Sequence, residues 1–318
     1  MIRTISQVMT GVAAAAIFAF VPMSAAQAAD SEACKTVRFS DVGWTDITAT
    51  TATATVVLKA LGYEPVTQVL SVPVTYSSLK NGDIDVFLGN WMPTMEADIK
   101  PYREDGSVES IGANLEGAKY TLAVPKYTYE AGVKTFQDIA KFKDQLDGKI
   151  YGIEPGNDGN RLILDMIEKD TFGLKGFEVV ESSEAGMLSA VAKAARNKDH
   201  LVFLGWEPHP MNANFEMAYL EGGDDIFGPN LGGATVHTNV RKGYVGECPN
   251  AGKFVSNLKF TLKMENEIMG AILNDGTDPE KAATNWLKAN PGVMDAWLAG
   301  VTTFDGGDAM AAAKSAIK

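Results

Sequence analysis

The sequence predicts an α/β protein of two lobes, each with a mixed, mainly parallel sheet flanked by helices. Strand-like and helix-like segments alternate along most of the chain, which is typical of parallel sheets. A length of 318 residues fits two domains, since a domain has about 150 residues. The segment Val-Phe-Leu-Gly occurs at 86–89 and at 202–205, and Trp and then Pro follow each copy. Because open α/β sheets bind ligands at the carboxyl ends of such strands, the repeat predicts a shared site.

Residues 1–28 are predicted to be a cleaved secretory signal. Arg3 provides the positive charge of the amino-terminal region, and residues 12–21 form a short apolar segment. Ala-Gln-Ala at 26–28 fits the small-x-small cleavage rule. A membrane anchor would need roughly 18 or more apolar residues, and this run is shorter. We therefore expect the mature protein to be exported across the inner membrane to the periplasm.

The first lobe is predicted to be discontinuous, comprising residues 29–117 and 224–318, because the two ends of the chain are expected to meet. Its expected strands are Val37–Ser40, Val66–Val74 and Ile84–Leu88, and its expected helices are 46–61, 77–82, 250–260, 264–273, 279–289 and 291–298. The strand at 84–88 leads to Trp91.

The second lobe is predicted to be residues 118–223, inserted into the first. An extended crossing segment at 118–125 opens it. Its expected strands are 149–153, 177–180 and 201–204, and its expected helices are 136–142, 159–169 and 183–197. The last of these strands leads to Trp206. No low-complexity linker is present, so short crossing strands are expected to join the lobes.

The chain has two cysteines, Cys34 and Cys248. In an exported protein an even number of cysteines favours a disulfide, and the alternative is a pair of buried free thiols. A bridge across more than 200 residues would contribute about 4–5 kcal/mol in the chain-entropy model. Such a bridge would also place both ends of the chain in one lobe.

Composition and motifs exclude several classes of function. A formal net charge of −12 is unsuited to binding nucleic acid, which needs clustered Lys and Arg. The histidines His200, His209 and His237 lack metal-binding spacing, and no nucleophile elbow is present. We therefore expect no catalytic residue, no cofactor and no metal. His209, three residues after Trp206, either reaches a pocket or lies in a surface loop, and the loop is favoured.

The tryptophans divide into two groups. Trp286 and Trp297 lie in amphipathic helices and are expected to pack between helices. Trp44, Trp91 and Trp206 follow glycine-rich strand ends instead, so a ligand-facing position is favoured over a core position. An indole face is the best side-chain partner for a cation that cannot donate hydrogen bonds.

Two polar residues stand at predicted helix starts. Asp46 is either a helix N-cap or a counter-charge beside the aromatic wall, and one residue can serve both roles. The turn at 155–161 lacks the lysine of a phosphate loop, so an anion cradle is disfavoured. The turn is instead expected to direct the amide of Asn157 at a ligand.

Taken together, these features resemble the periplasmic substrate-binding proteins of ABC importers for quaternary amines, over the whole mature chain. The resemblance implies a type II two-lobed fold that closes on its ligand by a hinge. It also implies a monomer that delivers its ligand to an ABC permease and its ATPase. The implied site is an aromatic box, with Asp46 as the counter-charge, Asn157 bonding a ligand hydroxyl, and a Cys34–Cys248 disulfide. The box consists of Trp44 and Trp91 from the first lobe and Tyr120 and Trp206 from the second.

The expected ligand is choline, with acetylcholine and betaines as weaker candidates. Choline carries an uncompensated positive charge, which suits Asp46. Glycine betaine or proline betaine is the alternative, and its carboxylate would need extra donors such as His209 or backbone amides. A secreted choline-ester hydrolase is disfavoured, because the sequence lacks a nucleophile and base pair.

Overall fold

The computed structural model describes residues 1–2 and 30–317. Residues 3–28 of the predicted signal peptide lie outside the described residues. The strands are β1 Thr36–Asp41, β2 Glu64–Val69, β3 Val86–Met92, β4 Val108–Pro125, β5 Lys149–Tyr151, β6 Glu178–Val180, β7 Val202–Glu207, β8 Met217–Tyr219 and β9 Gly233–Arg241.

The helices account for most of the remaining chain. They are α1 Thr45–Ala60, α2 Val72–Asn81, α3 Glu96–Glu104, α4 Lys126–Ala131, α5 Phe136–Ile139, α6 Asp158–Glu168, α7 Glu184–Asn197, α8 Met211–Asn214, α9 Asp224–Phe227, α10 Pro229–Gly232, α11 Tyr244–Glu247, α12 Pro249–Asn257, α13 Leu262–Leu273, α14 Pro279–Ala289, α15 Val293–Trp297 and α16 Ala309–Ala316. Short 3₁₀ turns occur at Glu32–Cys34, Ala140–Phe142 and Thr171–Gly173.

The strands form a sheet with the order β2-β1-β3-β9-β4-β7-β5-β6, and β8 pairs with β4. Strand β1 is parallel to β2 and β3 on one side, and β5 is parallel to β6 and β7 on the other. Between these groups, β9 and the long strand β4 run antiparallel to each other and to their other neighbours. The α/β class with mixed sheets is confirmed. The lobe boundaries at residues 117/118 and 223/224 stay a prediction.

The structure differs from the expected secondary structure at several places, among them α2, which covers Val72–Asn81 where a helix was expected at 77–82, and α3 and β8, which were not predicted. The strand expected at 66–74 ends at Val69, because α2 begins at Val72 with Ser71 as its N-cap, and Pro73 fits the first turn of a helix. Strand β9 was not predicted, although it joins the two parallel groups. Helix α16 was also not predicted.

The repeated Val-Phe-Leu-Gly segments form the buried parts of β3 and β7. Their glycines permit close packing. A Cβ atom at Gly89 would lie 2.8 Å from the Ile47 side chain, and one at Gly205 would lie 2.9 Å from the Ala123 Cβ. Helix α1 and strand β4 can therefore approach these strands closely, beside the residues that carry Trp91 and Trp206.

A disulfide between Cys34 and Cys248 is present, with the two Cα atoms 5.5 Å apart, so the predicted bridge is confirmed. The neighbouring Asp30 carboxylate accepts hydrogen bonds from the backbone N–H groups of Asn250 and Ala251, each at 2.8 Å. It also accepts one from the Tyr63 hydroxyl at 2.9 Å. Asp30 is therefore held against the first turn of α12.

Candidate ligand-binding site

A small cavity of about 250 Å³ lies near the carboxyl ends of β3 and β7. The lining combines four aromatic rings, one aliphatic residue, one amide and two carboxylates. These residues are Trp44, Tyr120, Trp91, Trp206, Ile153, Asn157, Asp46 and Asp158. The cavity therefore brings together all six residues that the sequence predicted for a ligand site.

The aromatic walls come from separate elements. Trp91 is on β3, Tyr120 on β4 and Trp206 on β7, while Trp44 directly precedes α1. Tyr120 and Trp206 face each other in the β4–β7 register, with ring centroids 6.2 Å apart and planes at 80°. The Trp91 and Tyr120 centroids are 6.0 Å apart and the rings are tilted by 59°. Sheet pairing thus sets the spacing of three rings.

The polar atoms of three rings are bonded to protein groups. Trp91 Nε1 donates to Asp46 Oδ2 at 3.0 Å, and Trp44 Nε1 donates to Glu154 Oε1 at 2.8 Å. The Tyr120 hydroxyl donates to Asn157 Oδ1 at 3.0 Å. With these N–H and O–H groups engaged, the rings offer a ligand mainly their carbon surfaces. Such surfaces attract cations through the negative face of the ring.

Asp46 is the second residue of α1 and is 1% exposed. Its interpretation as the helix N-cap is wrong, because Trp44 occupies that position and makes no side-chain capping bond. Asp46 Oδ1 has no hydrogen-bond partner among the described residues. Burial, and then the charge of Glu184, raises the pKa of Asp46 to about 8, and the Trp91 indole opposes this. A cation in the cavity would stabilise the ionised form.

Asp158 lines the cavity but was not among the predicted residues. It is the first residue of α6, is 1% exposed, and has an Oδ2 atom without a hydrogen-bond partner among the described residues. Burial raises its pKa to about 7. The one available sequence signal was its position next to Asn157, in a turn already assigned to the ligand.

Asn157 is the N-cap of α6. Its Oδ1 accepts from the Asn160 N–H at 3.1 Å as well as from Tyr120, and its Nδ2 donates to Asp158 Oδ1 at 3.1 Å. The amide therefore fixes the positions of Tyr120 and Asp158 and keeps a second N–H hydrogen. Its predicted bond to a ligand hydroxyl stays a prediction.

His209 lies in a loop, but the expected surface position is wrong because the ring is 1% exposed. It packs against Trp206 with centroids 4.8 Å apart. Its Nδ1 accepts from the Met211 N–H, so the hydrogen is on Nε2, which donates to Glu184 Oε1 at 3.1 Å. His209 supports the wall of the cavity from behind and is not among the lining residues.

Glu184, the first residue of α7, connects His209 to α1 by hydrogen bonds. Its carboxylate accepts from the Thr45 N–H at 2.9 Å and from the Thr45 hydroxyl at 2.5 Å. These bonds satisfy a free backbone N–H in the first turn of α1, the helix that carries Asp46. Sequence reasoning missed Glu184 because its two bonding partners are distant in the chain.

We expect Glu184→Ala to lower the free energy of unfolding by about 1–3 kcal/mol, the cost of leaving buried donors without a partner. Thermal or denaturant unfolding would measure this change. Glu178→Ala, at an exposed position on β6, is the control and should leave the stability nearly unchanged. Equal stability of the two variants would contradict the structural role of Glu184.

The charge around the cavity is negative. Its lining includes two carboxylates and no Lys, Arg or His. Two further carboxylates lie next to it, since Glu154 accepts a hydrogen bond from Trp44 and Glu184 accepts one from Thr45. Arg161, on α6, is paired instead with Asp98 on α3 at 2.7 Å. The arrangement suits a small cation that offers few hydrogen-bond donors.

Residues 1–2 and 30–317 contain no group of three or more His, Cys, Asp or Glu side chains placed to hold a metal ion. Among the helices of the same segments, none combines the length and the apolar character needed to cross a membrane.

Several known proteins are similar to this chain in sequence and fold. Residues 35–289 match the family model of the substrate binding domain of the ABC-type glycine betaine transport system. The structure of an ABC-transporter choline binding protein in complex with choline is 71% identical with a TM-score of 0.90, and the match covers 91% of this chain and 100% of that one. Lactococcal OpuAC, closed on glycine betaine, is 28% identical with a TM-score of 0.75, and the match covers 82% and 98% of the two chains.

A further relative is the uncharacterized protein ORF1 of Chromohalobacter salexigens. It is 56% identical over 146 residues, which are 46% of this chain and 92% of that protein. The structural matches confirm the two-lobed binding-protein fold. The family match extends across both parallel groups of strands and all residues that line the cavity. The chain therefore belongs to the quaternary-amine substrate-binding proteins of ABC-type transport systems.

Proposed function

We propose that this protein binds choline and delivers it to the permease and ATPase of an ABC importer. As a member of its family it is an extracytoplasmic substrate-binding component and not an enzyme. The observation that carries the proposal is a buried cavity with four aromatic rings, two carboxylates and no basic side chain. The 71% identical protein that was solved with choline supports the same ligand.

The chemistry of choline matches this lining. A quaternary ammonium offers no N–H, so a site must attract it through ring faces and charge rather than through hydrogen bonds. A desolvated cation–π contact contributes roughly 2 kcal/mol, so four rings give about 8 kcal/mol before the cost of association. Carboxylate attraction adds to this, and an affinity near micromolar is expected.

Glycine betaine or proline betaine is the second candidate ligand. The family description and the 28% identical OpuAC complex both concern glycine betaine. A betaine would bring its own carboxylate into a cavity that already has Asp46 and Asp158 and has no basic side chain in its lining. Since like charges repel strongly at low dielectric, choline is favoured. Acetylcholine shares the cation but is larger, so we expect it to bind more weakly.

Export of the protein to the periplasm is also part of the proposal. A signal peptide at residues 1–28 would direct it to the periplasm, where the Cys34–Cys248 bridge is stable. The mature protein is proposed to act as a monomer that closes on one ligand. Mass spectrometry of the secreted protein should show a chain that begins just after residue 28.

Calorimetry on refolded, ligand-free protein tests the proposed ligand directly. Choline, acetylcholine and glycine betaine should be titrated side by side. We expect choline to bind most tightly and glycine betaine at least tenfold more weakly, about 1.4 kcal/mol. Tighter binding of glycine betaine would transfer the proposal to the second candidate. Refolding matters because a ligand carried through purification would mask binding.

Asp46→Asn tests whether Asp46 acts as a counter-charge. The substitution removes the charge and keeps the shape, so choline should lose about 1–3 kcal/mol of binding free energy. Glycine betaine should lose less, because its carboxylate is relieved of repulsion. Calorimetry with both ligands on both proteins measures the difference. An equal loss for the two ligands would mean that Asp46 acts only structurally.

The pH dependence of binding gives a second measurement of the same residue. Burial raises the pKa of Asp46 to about 8, so below this pH the empty site favours the protonated carboxyl. A cation competes with that proton, and choline affinity should rise between pH 6 and pH 8. The Asp46→Asn variant should show a flatter profile. A wild-type affinity that falls over this range would contradict the assignment.

A further inference from the structure

The buried carboxylate of Glu184 lies between the amino-terminal ends of two helices from different parts of the sheet. Glu184 is the first residue of α7, and it bonds to Thr45, the first residue of α1. Helix α1 follows β1 in the group of strands β1–β3, whereas α7 leads to β7 in the group β5–β7. In a two-lobed protein that closes by a hinge, these two groups separate when the cleft opens. The bonds between Glu184 and Thr45 therefore belong to the closed form.

Helix α1 depends on these bonds because it has no side-chain cap of its own. Its N-cap residue is Trp44, which makes no capping bond. Glu184 supplies the missing acceptor, since Oε2 accepts from the Thr45 N–H at 2.9 Å and Oε1 accepts from the Thr45 hydroxyl at 2.5 Å. The amino-terminal ends of α1 and α7 each carry a partial positive charge of about half an elementary charge, so they repel each other as the lobes meet. The carboxylate between them offsets both charges.

Glu184 bonds to residues behind the cavity walls on both sides but does not line the cavity. On one side, the two sequence neighbours of Thr45 both line the cavity, so a bond that fixes Thr45 also fixes their backbone. On the other side, Glu184 Oε1 accepts from His209 Nε2 at 3.1 Å, and His209 packs against Trp206. One carboxylate thus connects supports of two walls that come from different groups of strands.

We propose, resting on the proposed function, that Glu184 is a positioning residue for closure of the protein on choline. Its carboxylate caps α1 from the opposite lobe when the lobes meet, and it does not touch the ligand. The bond to His209 stays within the group β5–β7, so it contributes to stability in the open and the closed form alike. Bonds that form only after the ligand has entered slow its release and leave its entry nearly unchanged.

Stopped-flow measurements with choline on the full mature protein test this role, because the indole fluorescence of the cavity reports binding. Glu184→Ala should raise the dissociation rate constant about tenfold or more, the scale for leaving buried donors without a partner, and change the association rate constant less than about threefold. Glu184→Gln should give a smaller rise, since its amide oxygen still accepts a hydrogen bond while its NH₂ group faces a donor.

A double-mutant cycle with Thr45→Val separates closure from a general loosening of the structure. Thr45→Val removes the hydroxyl that bonds to Glu184 and keeps the shape of the side chain. Both single changes should speed the release of choline. The double variant should release it clearly more slowly than the product of the two single effects requires, because both changes remove the same bond. Single effects that simply multiply would overturn the proposal.

Glu280→Ala is the matched control. The Glu280 carboxylate accepts from Lys59 Nζ in the last turn of α1 at 2.7 Å, so this change also removes a carboxylate bonded to α1. That pair is exposed and lies at the other end of α1, away from α7 and the cavity. The dissociation rate constant should stay within about twofold of the wild type, as expected for an exposed ion pair.

A dissociation rate constant in Glu184→Ala as close to the wild type as that of the control would also overturn the proposal. If Glu184→Ala does not fold, Glu184→Gln and Thr45→Val still test the same bonds. Failure of the wild type to bind choline at all would instead overturn the proposed function. The two failures are therefore distinct.

Discussion

Replacing Trp91 or Trp206 with alanine is expected to abolish measurable choline binding while the protein remains folded. Each ring lines the cavity and is less than 5% exposed, and the two rings come from the two repeated strands. The substitution removes a cation–π contact of roughly 2 kcal/mol and opens the cavity to water. Central, desolvated aromatic residues cost about 2–4 kcal/mol when truncated, so a loss of about 30-fold to nearly 1,000-fold is expected.

Calorimetry with choline measures this loss, and circular dichroism checks the fold. Trp286→Ala is the matched control, because Trp286 is half-buried on α14, bonds to Glu267 and does not line the cavity. Its variant should bind choline normally. If Trp91→Ala or Trp206→Ala bound choline within about threefold of the wild type, less than 1 kcal/mol, that ring would have no part in the site.

The largest effect on stability is expected from loss of the Cys34–Cys248 bridge. The bridge spans 214 residues, and a loop of that length corresponds to about 5 kcal/mol in the chain-entropy model. For a protein of this size the melting temperature should fall by roughly 10–20 °C. Choline affinity should change little, since neither cysteine lines the cavity.

Scanning calorimetry of the protein with and without reductant measures the change. A Cys34→Ser, Cys248→Ser double variant is the suitable control, because it removes the bridge without leaving a reactive thiol. The variant and the reduced protein should melt at similar temperatures. An unchanged melting temperature in both would mean that packing around Asp30 and α12 alone holds this end of the chain.

Most of the local structure was predictable because its signals lie within short segments. The helix at 183–197 and the strands before Trp91 and Trp206 follow from apolar spacing. Strand β9 was missed because its pairing with β3 and β4 involves residues far away in the chain. The extended segment at 118–125, which is part of β4, was predicted, but its antiparallel pairing with β9 was not.

The candidate site also contains residues that the sequence predicted and residues that only the tertiary structure shows. The sequence by itself determined its chemistry, because the residue types and their positions at strand ends are local: rings from Trp44, Trp91 and Trp206, and a nearby acid at Asp46. Tertiary structure alone decided which other groups belong to it. Burial and hydrogen bonding depend on distant contacts, and these contacts leave an oxygen of Asp158 without a partner, place Glu184 against α1, and bury His209 behind Trp206.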